Sequence, residues 1–198
     1  MSAGKIYILD VTNRDGVQTS RLGLAKLEKT ILNMMLNQMG IFQAEIGFPT
    51  TRHELNYLNA NHELVALGVL APMRISGWTR ATVSDVKEAK VRVPQLTHIN
   101  ISLSTSDQMI QGKFGGTKQR ADIIAMMADA LSVARDLGMQ SVGVNAEDAS
   151  RTDLSFLIEF CQRAKEGGAD RIRYCDTLGY DDPFTIYERV KKLSLIHI

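Results

Sequence analysis

The sequence predicts an α/β fold, namely a (β/α)8 TIM barrel of which about six βα units are present. Six short apolar runs alternate with amphipathic helical patterns, and these runs begin near residues 6, 43, 73, 98, 141 and 171. Their spacing leaves room for a helix in each crossover between parallel strands, and no hairpin signal interrupts the series. Polar clusters follow several of the strands, whereas the G-x-G-x-x-G turn typical of an open doubly wound sheet is absent. This distribution favours the barrel over the open sheet.

The composition is that of an ordinary globular protein. The 198 residues are 44% hydrophobic and 23% charged, which predicts one domain over residues 1–198. The net charge of +1 gives no reason to expect a nucleic-acid or membrane partner. Because no signal-peptide pattern and no apolar run of about 20 residues occurs, we expect a cytoplasmic protein. Cys161 and Cys175 are too few for a disulfide scaffold.

In the first half of the chain, each predicted strand precedes a predicted helix. The strands are predicted at 5–9, 42–47 and 73–77, and the helices at 24–39, 52–67 and 82–91. The first helix carries Met34, Met35 and Met39 at helical spacing together with leucine and isoleucine, which predicts that the methionines fill the core.

The second half continues the same alternation with one long irregular connection. A strand at 98–103 leads into this connection at 104–117, which is rich in glycine, and a strongly patterned helix follows at 118–137. A strand at 141–144 then precedes a helix that begins near Leu154, and a strand at 171–174 precedes the last helix. Asp182 is predicted to cap this last helix, with Pro183 in its first turn.

The number of βα units is smaller than a closed barrel requires. A (β/α)8 domain typically needs about 250 residues, and the predicted units end within or just after the sixth helix. The segment 193–198 is too short for a seventh unit. We therefore expect the N-terminal part of a single catalytic barrel domain, with the C-terminal βα units missing.

Charged residues follow the first strand directly, in the segment DVTNRDGVQT over residues 10–19. Arg14 is suited to bind a carboxylate or to stabilise a developing oxyanion. Asp15 offers the hard oxygen ligand that divalent cations prefer. Gly16 would allow a tight turn, and Gln18 adds a neutral hydrogen-bonding side chain. The alternative interpretation is a surface turn that holds an Arg–Asp ion pair.

Four motifs, each after a predicted strand, resemble those of a known family. They are DVTNRDGVQ at 10–18, EIGFP at 45–49, NAEDASR at 145–151 and DTLG at 176–179. Together they resemble the superfamily of metal-dependent barrels that contains 2-isopropylmalate synthase, homocitrate synthase and HMG-CoA lyase. The resemblance runs from residue 5 to about residue 192. Asn13 and Val17 make the first motif most similar to the branch that forms citrate.

This resemblance implies an acyltransferase that condenses acetyl-CoA with a 2-oxo dicarboxylic acid and releases CoA. The implied reaction is oxaloacetate to citrate, with homocitrate or 2-isopropylmalate formation as alternatives. The cofactor implied is a divalent metal ion, with Mn²⁺ first and Zn²⁺, Mg²⁺ or Co²⁺ as alternatives. The implied partners are small-molecule substrates and, for the parent enzyme, further copies of itself.

In the first two motifs, the resemblance assigns roles to four residues. Asp15 matches the metal ligand of the family, and Arg14 matches a catalytic arginine that also contacts substrate. Glu45 matches a carboxylate close to the metal and the substrate. Gln18 is placed among the substrate-binding residues.

In the last two motifs, three further residues match. Thr177 matches a hydroxyl group that holds the substrate carboxylate, and Arg151 suits the distal carboxylate of a dicarboxylic oxo acid. Glu147 is a candidate acid/base or substrate-positioning group. The alternative for Glu147 and Arg151 is a plain i,i+4 ion pair at a helix start. If the site assignment is right, the ends of strands one, two, five and six converge at one barrel mouth.

One departure from the family concerns the metal site. Family members carry a His-x-His pair after strand seven, which this chain lacks. His53 and His62 fall on the second helix, where we expect them to be solvated, His98 begins a strand at the opposite end of the barrel, and His197 lies in the tail. A single aspartate does not make a tight metal site. The chain alone is therefore expected to be inactive, and a non-catalytic α/β domain that binds an acidic ligand remains the competing interpretation.

Overall fold

A computed structural model describes residues 5–194, and within them the strands form one sheet in the order β1-β2-β3-β4-β5-β6. The strands are β1 (Leu9–Asp10), β2 (Gln43–Gly47), β3 (Arg74–Arg80), β4 (His98–Ser104), β5 (Ser141–Glu147) and β6 (Arg171–Cys175). The pairings of β1 with β2, β2 with β3 and β5 with β6 are parallel. Every strand is followed by helix, which confirms the predicted fold of six βα units from a (β/α)8 barrel.

The same described range contains seven α-helices. They are α1 (Lys26–Gln38), α2 (Leu55–Ala66), α3 (Val83–Arg92), α4 (Asp107–Phe114), α5 (Arg120–Asp136), α6 (Leu154–Glu166) and α7 (Pro183–Ser194). The predicted N-cap of α7 is confirmed, because the Asp182 carboxylate accepts hydrogen bonds from the backbone N–H groups of Phe184 and Thr185 at 2.8 Å. None of these helices is long and apolar enough to cross a membrane.

Helix α4 corrects the prediction of an irregular connection at 104–117. The Ser106 hydroxyl caps the helix by accepting a hydrogen bond from the Met109 N–H at 3.2 Å. Gly115, with φ of 57°, ends it in the left-handed conformation. The glycines suggested a loop, but only those after Phe114 leave the helical conformation.

The chain folds into two compact units. The first holds the described residues up to Thr79 together with Glu88–Ile99, and the second holds Arg80–Lys87 together with the described residues from Asn100 onward. The expectation of a single domain over 1–198 stays a prediction.

In the first unit, β1 is shorter than the predicted strand at 5–9. It pairs with β2 through two residues, Leu9 with Gln43 and Asp10 with Ala44. The side chains of Ile6 and Ile8 before it are 88% and 61% exposed. An apolar run forms a strand only where a neighbouring strand offers backbone hydrogen bonds. Because β1 lies at the edge of the sheet, it has such a neighbour on one side only.

Helix α1 buries its polar face and exposes its apolar face. Lys29 and Asn33 are buried, whereas five apolar side chains on the helix and at its end are between 37% and 74% exposed. These five are Leu27, Ile31, Met34, Met35 and Met39. The prediction that the methionines fill the core is therefore wrong among the described residues. Helical periodicity identifies a face, but hydrogen-bond partners elsewhere in the unit decide which face is covered.

His62 on α2 is also a correction, since it was expected to be solvated and is buried. Burial lowers the pKa of its imidazole to about 4, and the positive charges of His98 and Lys90 lower it further. His53 is exposed, as expected.

The second unit has an apolar core between α5 and α6. Met127 and Leu131 of α5 and Leu157 and Phe160 of α6 are fully buried. Burial of each such side chain contributes about 1.5–3 kcal/mol. This core supports the strands β5 and β6, whose ends carry the third and fourth motifs.

Candidate active site

The segment after β1 forms a tight turn that is closed by its own backbone. The N–H groups of Arg14, Asp15 and Gly16 all donate to the Val11 carbonyl, at 2.8–3.2 Å. A single 3-10 turn, Gly16–Gln18, follows. A Cβ at Gly16 would make only ordinary contacts, at 3.6 Å or more, and the glycine does not lie in the left-handed region. The tight turn that Gly16 was expected to allow is present, and it does not use the conformational freedom of glycine.

Arg14 is fixed by contacts on several sides. Its Nε donates to Glu45 Oε1 at 2.6 Å, and its Nη1 donates to Asp15 Oδ1 at 2.7 Å. The Trp78 ring centroid lies 5.3 Å from the guanidinium carbon, within the range of a cation–π contact. Glu45, the middle residue of β2, is fully buried. The sequence therefore places a preorganised cation beside a buried carboxylate, and Nη2 makes no hydrogen bond to any described residue.

Asp15 and Gln18 are more open to solvent than Arg14. The Asp15 side chain is 57% exposed, and its contact to Arg14 uses only Oδ1. The Gln18 side chain is exposed and makes no hydrogen bond to the described part of the chain. Over residues 5–194, no group of three or more His, Cys, Asp or Glu side chains could hold a metal ion. The residues present fit one metal ligand, Asp15, and not a complete set.

A buried asparagine network anchors this turn to the helices. Asn13 Nδ2 donates to Asn33 Oδ1 and to the Lys29 carbonyl, both at 2.8 Å. Asn33 Nδ2 in turn donates to Asn61 Oδ1 and to the Tyr57 hydroxyl, both at 2.9 Å. These bonds explain why α1 buries its polar face. They hold the residue next to Arg14 in a fixed position.

In the second unit, Glu147 at the end of β5 is paired with a lysine. Lys113 Nζ on α4 donates to Oε1 at 2.8 Å and to Oε2 at 2.7 Å, and the Ser104 hydroxyl donates to Oε2 at 2.8 Å. The alternative of a Glu147–Arg151 ion pair is not found. Lys113 was not predicted as a site residue because it lies on the helix that the sequence did not reveal.

Arg151 pairs instead with Asp148. Its Nε donates to both carboxylate oxygens at 3.0 Å, and its Nη2 donates to Oδ2 at 2.6 Å. Hydrogen bonding to Asp148 raises the pKa of the Arg151 guanidinium above its ordinary value. Asp148 is fully buried and has φ of 61° and ψ of 38°, a left-handed conformation that is uncommon outside glycine. It stands inside the third motif, directly after Glu147, and that position was the signal that could have identified it.

Thr177 lies in the turn after β6 and also contacts Asp148. Its Oγ1 accepts a hydrogen bond from the Asp148 backbone N–H at 2.9 Å. Asp176 beside it accepts from the backbone N–H groups of Tyr180 and Asp181 at 2.8 and 3.1 Å. The nearby Ser150 side chain and these N–H groups lower the pKa of the Asp176 carboxyl. Asp176 thus stabilises the turn that carries Thr177.

The structure therefore brings the predicted residues together in two sets. Arg14 contacts both Asp15 and Glu45 in the first unit. Arg151 and Thr177 meet at Asp148 in the second. The expectation that the two sets face a common mouth stays a prediction.

Comparison with known proteins shows the family. The HMGL-like family model matches residues 5–195. The chain is 60% identical over 191 residues to the citrate (Re)-synthase of Dehalococcoides mccartyi (strain CBDB1), covering 96% of this chain and 46% of the relative. It is 43% identical over 189 residues to 2-isopropylmalate synthase 2 of Caldanaerobacter subterraneus subsp. tengcongensis, covering 96% and 47%. The chain spans about half the length of these relatives.

Solved structures with the same fold include two HMG-CoA lyases. The enzyme from Bacillus subtilis superposes with a TM-score of 0.75 at 14% identity, covering 96% of this chain and 64% of that one. The enzyme from Brucella melitensis gives a TM-score of 0.72 at 14% identity, covering 98% and 69%. These likenesses show the barrel fold. The match of the family model over residues 5–195 shows that the chain belongs to the HMGL-like family.

Proposed function

We propose that this chain serves an acetyl-CoA-dependent Claisen condensation with a 2-oxo dicarboxylic acid. In the reaction, oxaloacetate, acetyl-CoA and water give citrate and CoA. The similarity to a citrate (Re)-synthase at 60% identity supports this choice. The observation that carries it is the fixed Arg14 guanidinium, held at 2.6 Å by the buried Glu45.

Arg14 would stabilise the negative charge that develops on the carbonyl oxygen as the new carbon–carbon bond forms. A donor that is already oriented before the reaction stabilises such charge without reorganisation. Glu45 and the Trp78 ring supply that orientation. Both groups would hold the Arg14 guanidinium in one orientation, in which Nη2 stays available to a ligand.

The family is generally dependent on a divalent metal, which when bound would polarise the carbonyl group as a Lewis acid. We propose Asp15 as one of its ligands and Mn²⁺ as its identity. Because no group of three or more His, Cys, Asp or Glu side chains among the described residues could hold the ion, the proposed steps are assigned to side chains alone.

Four further residues have roles in the proposed reaction. Glu147 would exchange a proton with the reacting groups as acid/base, beside Lys113. Arg151 and Thr177 would bind the carboxylates of the oxo acid. Gln18, exposed after the first turn, would contribute a neutral hydrogen bond.

The proposal is tested by the release of CoA thiol from acetyl-CoA by the intact protein. Oxaloacetate, 2-oxoglutarate and 2-oxoisovalerate are compared, each with and without Mn²⁺, and oxaloacetate is expected to be fastest. Arg14→Gln should abolish most of the activity, and Arg92→Gln, which removes an exposed i,i+4 partner of Glu88, serves as the matched control.

Two alternatives give different results in this assay. Faster turnover of 2-oxoglutarate would favour a homocitrate synthase, and faster turnover of 2-oxoisovalerate a 2-isopropylmalate synthase. Oxaloacetate and 2-oxoglutarate differ by one methylene, a difference worth about 1–3 kcal/mol in a pocket. Dicarboxylate binding without thiol release would favour the acidic-ligand-binding domain. That the protein works in the cytoplasm and as a homo-oligomer stays a prediction.

A further inference from the structure

Asp148 is a residue to which neither the motifs nor the proposed reaction gives a role. Its side chain is fully buried, and its backbone lies in the left-handed region with φ of 61°. A non-glycine residue persists in that region only where the surrounding contacts hold it there. Aspartate is among the residues that tolerate the region best, so the position accepts a carboxylate at a moderate cost.

The first of these contacts is the fork that it forms with Arg151. Asp148 accepts from Nε–H and from one N–H of Nη2, so the side of the guanidinium that faces Asp148 is not available to a ligand. Among the described residues, Nη1 of Arg151 has no partner. Nη1 and the second N–H of Nη2 remain, so Arg151 can still offer a ligand carboxylate the two nitrogens at the end of its guanidinium, and Asp148 fixes the direction of this end.

The second contact sets the direction of the Thr177 hydroxyl hydrogen. Because Thr177 Oγ1 accepts from the Asp148 N–H at 2.9 Å, its own hydrogen points away from that N–H group. A hydroxyl that accepts one bond keeps its hydrogen for donation to another group. In this geometry Thr177 is a donor suited to a carboxylate oxygen.

Two further residues support the turn that carries Asp148. The Ser106 hydroxyl donates to Asp148 Oδ2. Arg189 of α7 donates through Nη1 to the carbonyls of Ala149 and Thr152, both at 3.1 Å. The turn is thus held by α4 on one side and by α7 on the other, which is more support than a surface ion pair receives.

We propose that Asp148 is a positioning residue for carboxylate recognition: it presents the end of the Arg151 guanidinium and the hydroxyl of Thr177 as two separate donor groups for the carboxylates of the oxo acid. This inference rests on the proposed function for its substrate class. It adds a residue that acts through others and does not itself touch the substrate.

The test uses Asp148→Asn in the intact protein, because asparagine keeps the size of the side chain and tolerates the left-handed backbone. The KM for oxaloacetate should rise about 10-fold or more, since misplacement of a positioning contact can cost about 10²-fold. The KM for acetyl-CoA should stay unchanged. Asp107→Asn, which removes an exposed carboxylate from its pair with Arg120, is the matched control and should change neither constant.

A double-mutant cycle with Arg151→Lys shows whether Asp148 acts through Arg151. The second substitution should add little in the Asp148→Asn background, and full additivity of the two effects would overturn the proposal. If Asp148→Asn fails to fold, Ser106→Ala removes one contact of the carboxylate and should raise the same KM by a smaller factor. An unchanged KM in Ser106→Ala would then count against the proposal.

A measurement without turnover separates this inference from the proposed function. The NMR signal of the Arg151 Nε–H, assigned by its loss in Arg151→Lys, should exchange slowly with water in the parent and rapidly in Asp148→Asn. Calorimetric titration with oxaloacetate should show the same loss of affinity as the kinetics. Rapid exchange in the unsubstituted protein would refute the proposed contact between Asp148 and Arg151. If the variant binds oxaloacetate more weakly but the unsubstituted protein releases no thiol, the proposed reaction is refuted and the carboxylate site is retained.

Discussion

Substitution of Glu45 by glutamine removes the buried charge that holds Arg14 without changing the size of the side chain. Glu45 is fully buried, its Oε1 lies 2.6 Å from Arg14 Nε, and the Arg14 side chain is 16% exposed. Loss of one partner from a fully buried ion pair costs about 3–5 kcal/mol. Because Arg14 keeps its contact to Asp15 and is partly solvated, we expect about 2–3 kcal/mol here. For a chain of this size that lowers Tm by about 4–12 °C.

Turnover should fall by more than the lost stability explains. A mobile Arg14 no longer meets the developing charge in a fixed orientation, and misplacement of this kind costs about 10²-fold in rate. Thermal unfolding followed by circular dichroism and CoA release at a temperature where the variant is folded give the two quantities separately.

The matched control is Asp85→Asn, since Asp85 is another well-buried carboxylate that binds an arginine, Arg80, at 2.7 Å. It should lower Tm and leave turnover near that of the parent. The reasoning is refuted if Glu45→Gln keeps turnover within a few-fold of the parent, or if both variants lose activity equally.

Three further predictions concern other parts of the chain. Asp15→Asn should weaken the metal dependence of the intact protein, whereas Arg14→Ala should spare metal binding and lower turnover by about 10²–10³; metal titrations with both variants check this. The pKa of His62 is lowered to about 4 in the folded protein, whereas an unfolded histidine titrates near pH 6.5. With respect to His62, the free energy of unfolding should therefore be highest above about pH 6.5 and should fall by about 3 kcal/mol in total as the pH falls towards 4. Urea unfolding across this range should show that slope, His62→Gln should flatten it and His53→Gln should not. The exposed apolar face of α1 should make the 198-residue chain associate. Size-exclusion chromatography should show oligomers, and Ile31→Lys should reduce their amount. A clean monomer of the unsubstituted chain would contradict this prediction.

The strands and their order were predictable because parallel crossovers impose a regular spacing on apolar runs. β2 and β4 are close to the predicted ranges. The edge strand β1 was overestimated, since hydrogen bonds to a neighbouring strand are not visible in a local pattern. α4 was missed because the glycines in and after it indicated a loop, and the serine that caps it is a weaker signal.

The residues of the candidate site were predictable by type but not by contact. Arg14 and Glu45 stand 31 positions apart, and only the fold shows that they form an ion pair. Arg151 was expected to be available as a fork, and the structure leaves only the end of the guanidinium for this, because Asp148 three residues before it binds Nε and one N–H of Nη2. Tertiary contacts set backbone angles such as the positive φ of Asp148, and therefore no local sequence pattern predicted them.

Two ion pairs among the candidate residues, one in each unit, differ in their sensitivity to dissolved salt. The carboxylate that holds Arg14 is inaccessible to solvent, and counterions screen such a pair only weakly. The pair of Glu147 with Lys113 is open, with the lysine 45% exposed, so its attraction weakens as the ionic strength rises. Raised salt therefore loosens the lysine from Glu147 while the arginine stays in place. Ionic strength is thus a means of varying the charge beside the acid/base group without any substitution in the chain.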